Sequence, residues 1–83
     1  MKVTVKYFAG IRESIGTGCE SHDTFATTLG VLRDELIALG GAYAESLARG
    51  KAVRLALNQV MTEESSALTE GAEVAFFPPV TGG

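Results

Sequence analysis

An α+β fold, with a mixed sheet packed on one main helix, is predicted for this 83-residue chain, and three observations carry the expectation. First, Lys2 to Phe8 alternates: Val3, Val5 and Tyr7 share one side, and Lys2, Thr4, Lys6 and Phe8 share the other. That period of two is what a strand requires. Second, "TTLGVLRDELIALGG" spaces Leu29, Leu32, Leu36 and Leu39 by three and four, the stripe of an amphipathic helix. Third, Glu73 to Phe77 alternates again and stops at Pro78 and Pro79, which have no amide hydrogen to donate to a ladder. One striped helix needs one sheet with an apolar face to cover.

The remaining elements follow in chain order. After Ala9 and Gly10, Ile11 and Ile15 sit four apart, as in a helical turn, and Gly16 and Gly18 close it. A weaker strand is read from Cys19 to about Phe25. Thr27 or Thr28 can cap the main helix, because a hydroxyl accepts from an unpaired early amide. Gly40 and Gly41 end it, since glycine takes the left-handed cap conformation at little cost. "AYAESLARG" reads as a second short helix, with Tyr43 and Leu47 on one side and Gly50 as its stop. "KAVRLALN" is a strand with Val53, Leu55 and Leu57 inward and Arg54, Ala56 and Asn58 outward. Asn58 and Gln59 turn the chain into a short strand at Val60 to Thr62, and Glu70-Gly71 forms the last turn. The order matches a β-grasp arrangement, in which the first and last strands lie side by side in mid-sheet. Residues 1–77 are read as that domain and 78–83 as an extended tail.

Composition narrows the function. The apolar fraction of 46% and charged fraction of 20% fit an ordinary globular domain. A single cysteine, Cys19, makes neither an internal disulfide nor a zinc site, which points to a reducing cytoplasm. The alternating N-terminus lacks the apolar run of a signal peptide, and no stretch reaches transmembrane length, so no membrane partner is expected. A net charge of −3 with no basic stripe argues against nucleic acid.

Two features carry the functional reading. Phe8 and Phe77 both fall on the polar side of neighbouring strands, and Met61 on a third strand can join them. Clustered aromatics on a solvent face suggest a binding patch, unless a loop covers them. The second feature is the end, "VAFFPPVTGG". Pro78 and Pro79 start an extended tail in a fixed direction. The six residues Pro78, Pro79, Val80, Thr81, Gly82 and Gly83 reach roughly 20 Å at about 3.3 Å each. Gly82 and Gly83, without side chains, fit a channel too narrow for other residues. The Gly83 α-carboxylate is idle until activated. Adenylation by ATP would make it an acyl donor, and displacement of AMP by a sulfur nucleophile would leave a thiocarboxylate. None of this needs a catalytic side chain in this chain.

The motifs "FFPPVTGG" (residues 76–83), "LTEGAEVA" (68–75), "KYFAGIRESIG" (6–16) and "LALNQ" (55–59) resemble the small subunits of molybdopterin synthase, the molybdenum-cofactor sulfur carriers. The resemblance implies a ubiquitin-like β-grasp fold and no bound cofactor. It implies an ATP-dependent adenylyltransferase, related to ubiquitin-activating enzymes, acting on Gly83, and a persulfide sulfur donor. It implies a large-subunit partner that receives the tail and binds cyclic pyranopterin monophosphate, in a heterotetramer. Partner-binding roles carry over to Phe8, Met61 and Phe77, and to Arg12 in a matched segment. Gly30, where such carriers usually have a polar or charged residue, is expected to affect helix stability. Rival readings are a carrier for thiamin, cysteine or tRNA thiolation, a ubiquitin-like protein modifier, or a plain interaction domain. Cys19 is expected to be a packing residue and His22 a solvated loop residue, with Glu63 and Glu64 only solvating their loop.

Overall fold

The computed structural model describes residues 1–79. Its elements are β1 (Lys2–Tyr7), α1 (Ala9–Ile15), β2 (Cys19–Asp23), α2 (Leu29–Ile37), α3 (Gly41–Ser46), β3 (Arg54–Leu57), β4 (Val60–Thr62) and β5 (Glu73–Phe77). The strands form one sheet in the order β2-β1-β5-β3-β4. β1 and β5 run parallel, with Val5 opposite Val74 and Tyr7 opposite Phe76, while the other neighbours are antiparallel. The first and last strands are therefore adjacent, and β5 is central, as the β-grasp arrangement requires.

Alternation sorts the strands into two faces. The inner face presents Val3, Val5, Tyr7, Leu55, Val74 and Phe76 to Leu29, Leu32 and Leu36 of α2, with Ile11 and Leu47 completing the core. Thr28 is the residue that caps α2: its hydroxyl accepts from the Val31 amide at 3.3 Å. Asn58 and Gln59 both take positive φ, +50° and +70°. Two such residues in sequence make the hairpin turn whose twist matches the flanking strands.

Several expectations need correction. The α2 stripe stops at Leu36, and Leu39 is 58% exposed. The Leu39 and Gly40 amides bond to the carbonyls three residues back, Leu36 and Ile37, at 3.0 Å each. That tighter final turn rotates Leu39 off the helix face. β1 ends at Tyr7 rather than Phe8, and β2 ends at Asp23 rather than near Phe25. Thr24 turns inward instead, its hydroxyl donating to Glu35 of α2 while its amide reaches the Met1 carbonyl at 2.8 Å.

Gly30 does more than weaken a helix turn. A Cβ placed there would lie 3.1 Å from Cβ and Oε1 of Glu64 and 3.3 Å from its carbonyl oxygen. The Gly30 amide already donates to that carbonyl at 2.9 Å. The bare helix surface lets the loop after β4 lie directly on α2, and a side chain there would press the Glu64 segment back by a few tenths of an ångström. Gly30 is buried as a result.

Candidate functional site

The outer face of the sheet holds the aromatic pair expected from alternation. Phe8 is extended (φ −127°, ψ 154°), so it continues the β1 alternation and puts its ring outside. Its amide donates to the Phe76 carbonyl at 3.2 Å, and its own carbonyl accepts from the amides of Ile11 and Arg12. Ala9 then turns the chain sharply into α1 with φ +50°. That left-handed conformation costs a residue with a Cβ about 1–2 kcal/mol. Phe8 and Phe77 stack face to face, with ring centroids 4.5 Å apart and 11° between planes. Among the described residues no loop covers either: Phe8 is 39% exposed and Phe77 half-buried.

The cross-strand register builds the rest of the face in rows. Arg54 lies opposite Phe77. One pleat further in, Lys6, Ala75, Ala56 and Met61 face one another across β1, β5, β3 and β4. Ala56 and Ala75 are on the outward side as expected, yet both are buried. Small side chains among longer neighbours make a flat floor there. Met61, 54% exposed, shares the face but stands two strands away from Phe77. Lys6 and Glu73 pair at 3.4 Å on the same side. The surface is an apolar shelf with a stacked pair at one end, rimmed by charge, suited to covering by another protein.

The chain leaves this shelf beside the stacked pair. Pro78 is half-buried and Pro79 exposed. The expectations for Val80, Thr81, Gly82 and Gly83 lie outside the described residues. Arg12 is exposed on α1, and its side chain lies over Gly18, where a Cβ would come within 3.1 Å of Nε. The structure thus brings Phe8, Phe77 and Pro78 together, sets Met61 on the same face at a distance, and puts Arg12 on the adjoining helix.

Polar anchors behind the shelf were missed in the sequence. The hydroxyls of Tyr7 and Tyr43 both donate to one oxygen of Glu20, each at 2.7 Å. Burial first, and the bond to Glu20 second, push the Tyr7 phenol far above its ordinary range. The Tyr43 phenol is raised mainly by its bond to Glu20. Tyr7 also stacks on Phe76 with centroids 6.2 Å apart. These contacts fix the inward neighbours of Phe8 and Phe77, and so fix the outward pair.

A second anchor holds the far edge. Arg33, buried on the apolar stripe of α2, donates to the carbonyls of Leu47 and Ala48 at 2.8 Å and Lys51 at 3.1 Å. It also meets Glu64 at 2.7 Å. Arg49 binds the same Glu64 and reaches Asp34 at 2.9 Å. The Arg49 bond is the main cause that holds the Glu64 carboxyl below its ordinary range. Glu64 therefore anchors the loop after β4 instead of solvating it. The signal was present, since Arg33 is the one charge among Leu29, Leu32 and Leu36 on the helix stripe.

Other expectations shift as well. Cys19 is exposed, not packed. His22 is half-buried on β2, with Nε2 3.4 Å from Glu35, rather than in a solvated loop. Among the described residues, no group of three His, Cys, Asp or Glu side chains could hold a metal ion, and no helix is long and apolar enough to cross a membrane.

Comparison with known proteins agrees with this architecture. The molybdopterin synthase sulfur carrier subunit of Haemophilus influenzae is 43% identical over 82 residues, covering 98% of this chain and 99% of that protein. The crystal structure of SAMP1 from Haloferax volcanii superposes with a TM-score of 0.79 at 25% identity, over the whole of both chains. A protein–protein complex of subunits 1 and 2 of the molybdopterin-converting factor from Helicobacter pylori contains a chain matching at 26% identity and a TM-score of 0.69, again over the whole of both chains. The ThiS family pattern matches residues 5–83. With a β-grasp sheet, an outward aromatic pair and a match across nearly its whole length, the chain belongs to the ThiS family.

Proposed function

We propose that this chain is the sulfur carrier subunit of molybdopterin synthase. The Phe8–Phe77 stack at the root of the Pro78-Pro79 segment carries the reading, because it puts a docking face and the start of the tail at one place. The sequence relation to carriers of that name supports it. The docked partner is the large synthase subunit, as the named Helicobacter pylori complex suggests. Phe8, Phe77 and Met61 form the contact face, and Arg12 adds a charge at its border.

Gly83 carries the chemistry. Its carboxylate attacks the α-phosphorus of ATP on an adenylyltransferase, and pyrophosphate leaves. The terminal sulfur of a persulfide then attacks the acyl carbon, and AMP leaves. A second thiol cleaves the resulting acyl disulfide, becoming a disulfide itself and releasing the thiocarboxylate. Pro78 to Gly82 deliver that group into the large subunit, where cyclic pyranopterin monophosphate accepts sulfur for its dithiolene. The work takes place in the cytoplasm.

Intact mass spectrometry tests the reading. Incubation with adenylyltransferase, ATP and a persulfide source is expected to add the mass of one oxygen-to-sulfur exchange, and deletion of Gly82 and Gly83 is expected to abolish it. Unchanged mass under conditions that sulfurate an authentic carrier refutes the assignment. Sulfur passing to another acceptor but not to the pterin would make this a carrier of another pathway, and lysine-linked conjugates in cells would make it a protein modifier.

A further inference from the structure

A groove of about 280 Å³ opens on the helix side of the sheet, against the root of the tail. Gly10 and Ile11 of α1, Ser46 of α3, Val53 and the two prolines define it, with Lys51 and Glu45 also lining it. It lies on the opposite side of Pro78 from the aromatic shelf. Ile11 is buried and Val53 half-buried, so the floor is apolar. Ser46 is 7% exposed, and its hydroxyl has no hydrogen-bond partner among the described residues. No fully buried side-chain polar atom among the described residues lacks a partner, so that hydroxyl keeps some exposure, and Ser46 is one of the residues lining the groove. A hydroxyl that keeps some exposure beside an apolar recess is able to bond a polar group brought there in place of water.

We propose that this groove is a second docking point for the large synthase subunit, filled by an apolar side chain of that partner, with a partner backbone group on the Ser46 hydroxyl and an acidic group facing Lys51. The inference rests on the functional reading above and deepens it. Size favours this occupant. At about 280 Å³ the groove has room for one or two side chains. Position favours it too. Pro78 and Pro79 form a rim of the groove and continue from the aromatic shelf, so a protein that encloses the tail reaches both sides of it. Lys51 has no carboxylate within salt-bridge distance among the described residues, and Glu45 does not pair with it. Its ammonium is therefore available to an acidic partner group.

Filling the groove tests this. A Cβ on Gly10 would meet nothing within 4 Å, and its backbone is not in the left-handed region. Because Gly10 is one of the lining residues, Gly10→Leu puts a bulky side chain at the groove without a clash at Cβ. Affinity of the full-length chain for the large subunit is measured by calorimetry, with thermal unfolding as the check on folding. Gly10→Leu is expected to weaken binding about tenfold or more, the equivalent of losing one buried apolar side chain. Lys51→Glu is expected to weaken it several-fold and more at low salt than at high, while leaving intact the backbone carbonyl that Arg33 uses. If both variants are folded and bind like the unaltered chain, the groove is not a docking point, although the functional reading stands. If they lose only sulfuration by the adenylyltransferase, the groove belongs to that enzyme and the assignment is overturned. If the unaltered chain itself does not bind the large subunit, the functional reading fails and the groove assignment fails with it.

Discussion

Two aromatic pairs stand back to back in this sheet. Tyr7 and Phe76 face inward, stacked at 6.2 Å and fully buried. Phe8 and Phe77 are the next residues along, and they stack outward at 4.5 Å. Chemistry scarcely distinguishes the pairs; strand phase does. A one-residue step moves a ring from the core to the surface. The inner pair is surrounded by α2, α3 and a shared carboxylate, so its contribution is to stability. The outer pair bridges the ends of β1 and β5, with Arg54 opposite Phe77, and stays partly exposed, so the core draws little stability from it.

Substitutions can break this contrast, beginning with the largest effect. Phe76→Ala is expected to cost about 3–5 kcal/mol in chemical denaturation, because a buried ring leaves a cavity. For so small a domain that approaches the whole stability. Glu20→Ala is expected to cost about 1–3 kcal/mol, since it strands two tyrosine hydroxyls at once. Glu20→Gln, which retains an acceptor, should recover part of that loss.

The tyrosines also predict a pH response. The folded state keeps the Tyr7 proton at pH values where the unfolded chain releases it, because its pKa is raised by burial and by Glu20. The unfolded state therefore binds fewer protons above about pH 10, and stability falls as pH rises through that range. Tyr7→Phe should flatten this alkaline limb in pH-dependent melts. If it does not, Tyr7 is more accessible to ionisation than its burial implies.

At Ala9, replacement by glycine removes the left-handed penalty and is expected to be neutral or to stabilise by up to about 1 kcal/mol. The change offers a way to sharpen the contrast, because a looser turn should lower large-subunit binding while leaving stability unharmed. The smallest stability effect is expected from Phe77→Ala, below about 1 kcal/mol, with binding to the large subunit reduced strongly. Equal losses of stability from Phe76→Ala and Phe77→Ala would erase the distinction between the two faces.

Much of this was legible beforehand. Alternation placed Phe8, Phe77, Val74 and Phe76 on their correct faces, because period two survives any global arrangement. The turns at Asn58-Gln59 and Glu70-Gly71, and a threonine cap at position 27 or 28, were readable for local reasons. What stayed hidden depends on contacts remote in sequence. Gly30 looked like a weak helix residue until the loop bearing Glu64 was seen lying on it. Arg33 reaches carbonyls 14 to 18 residues away, which no periodicity reports. Leu39 fitted the stripe and failed only because the helix tightened in its last turn.

The parallel β1–β5 pairing has a consequence for biosynthesis. Thr4 aligns with Glu73 and Tyr7 with Phe76, so the middle of the sheet closes only after nearly the whole domain has been translated. Pairings this distant in sequence form late and slowly. A ribosome-bound fragment lacking β5 has neither its central strand nor Phe77 to stack on Phe8. The outer aromatic stack is thus among the last features of the domain to form.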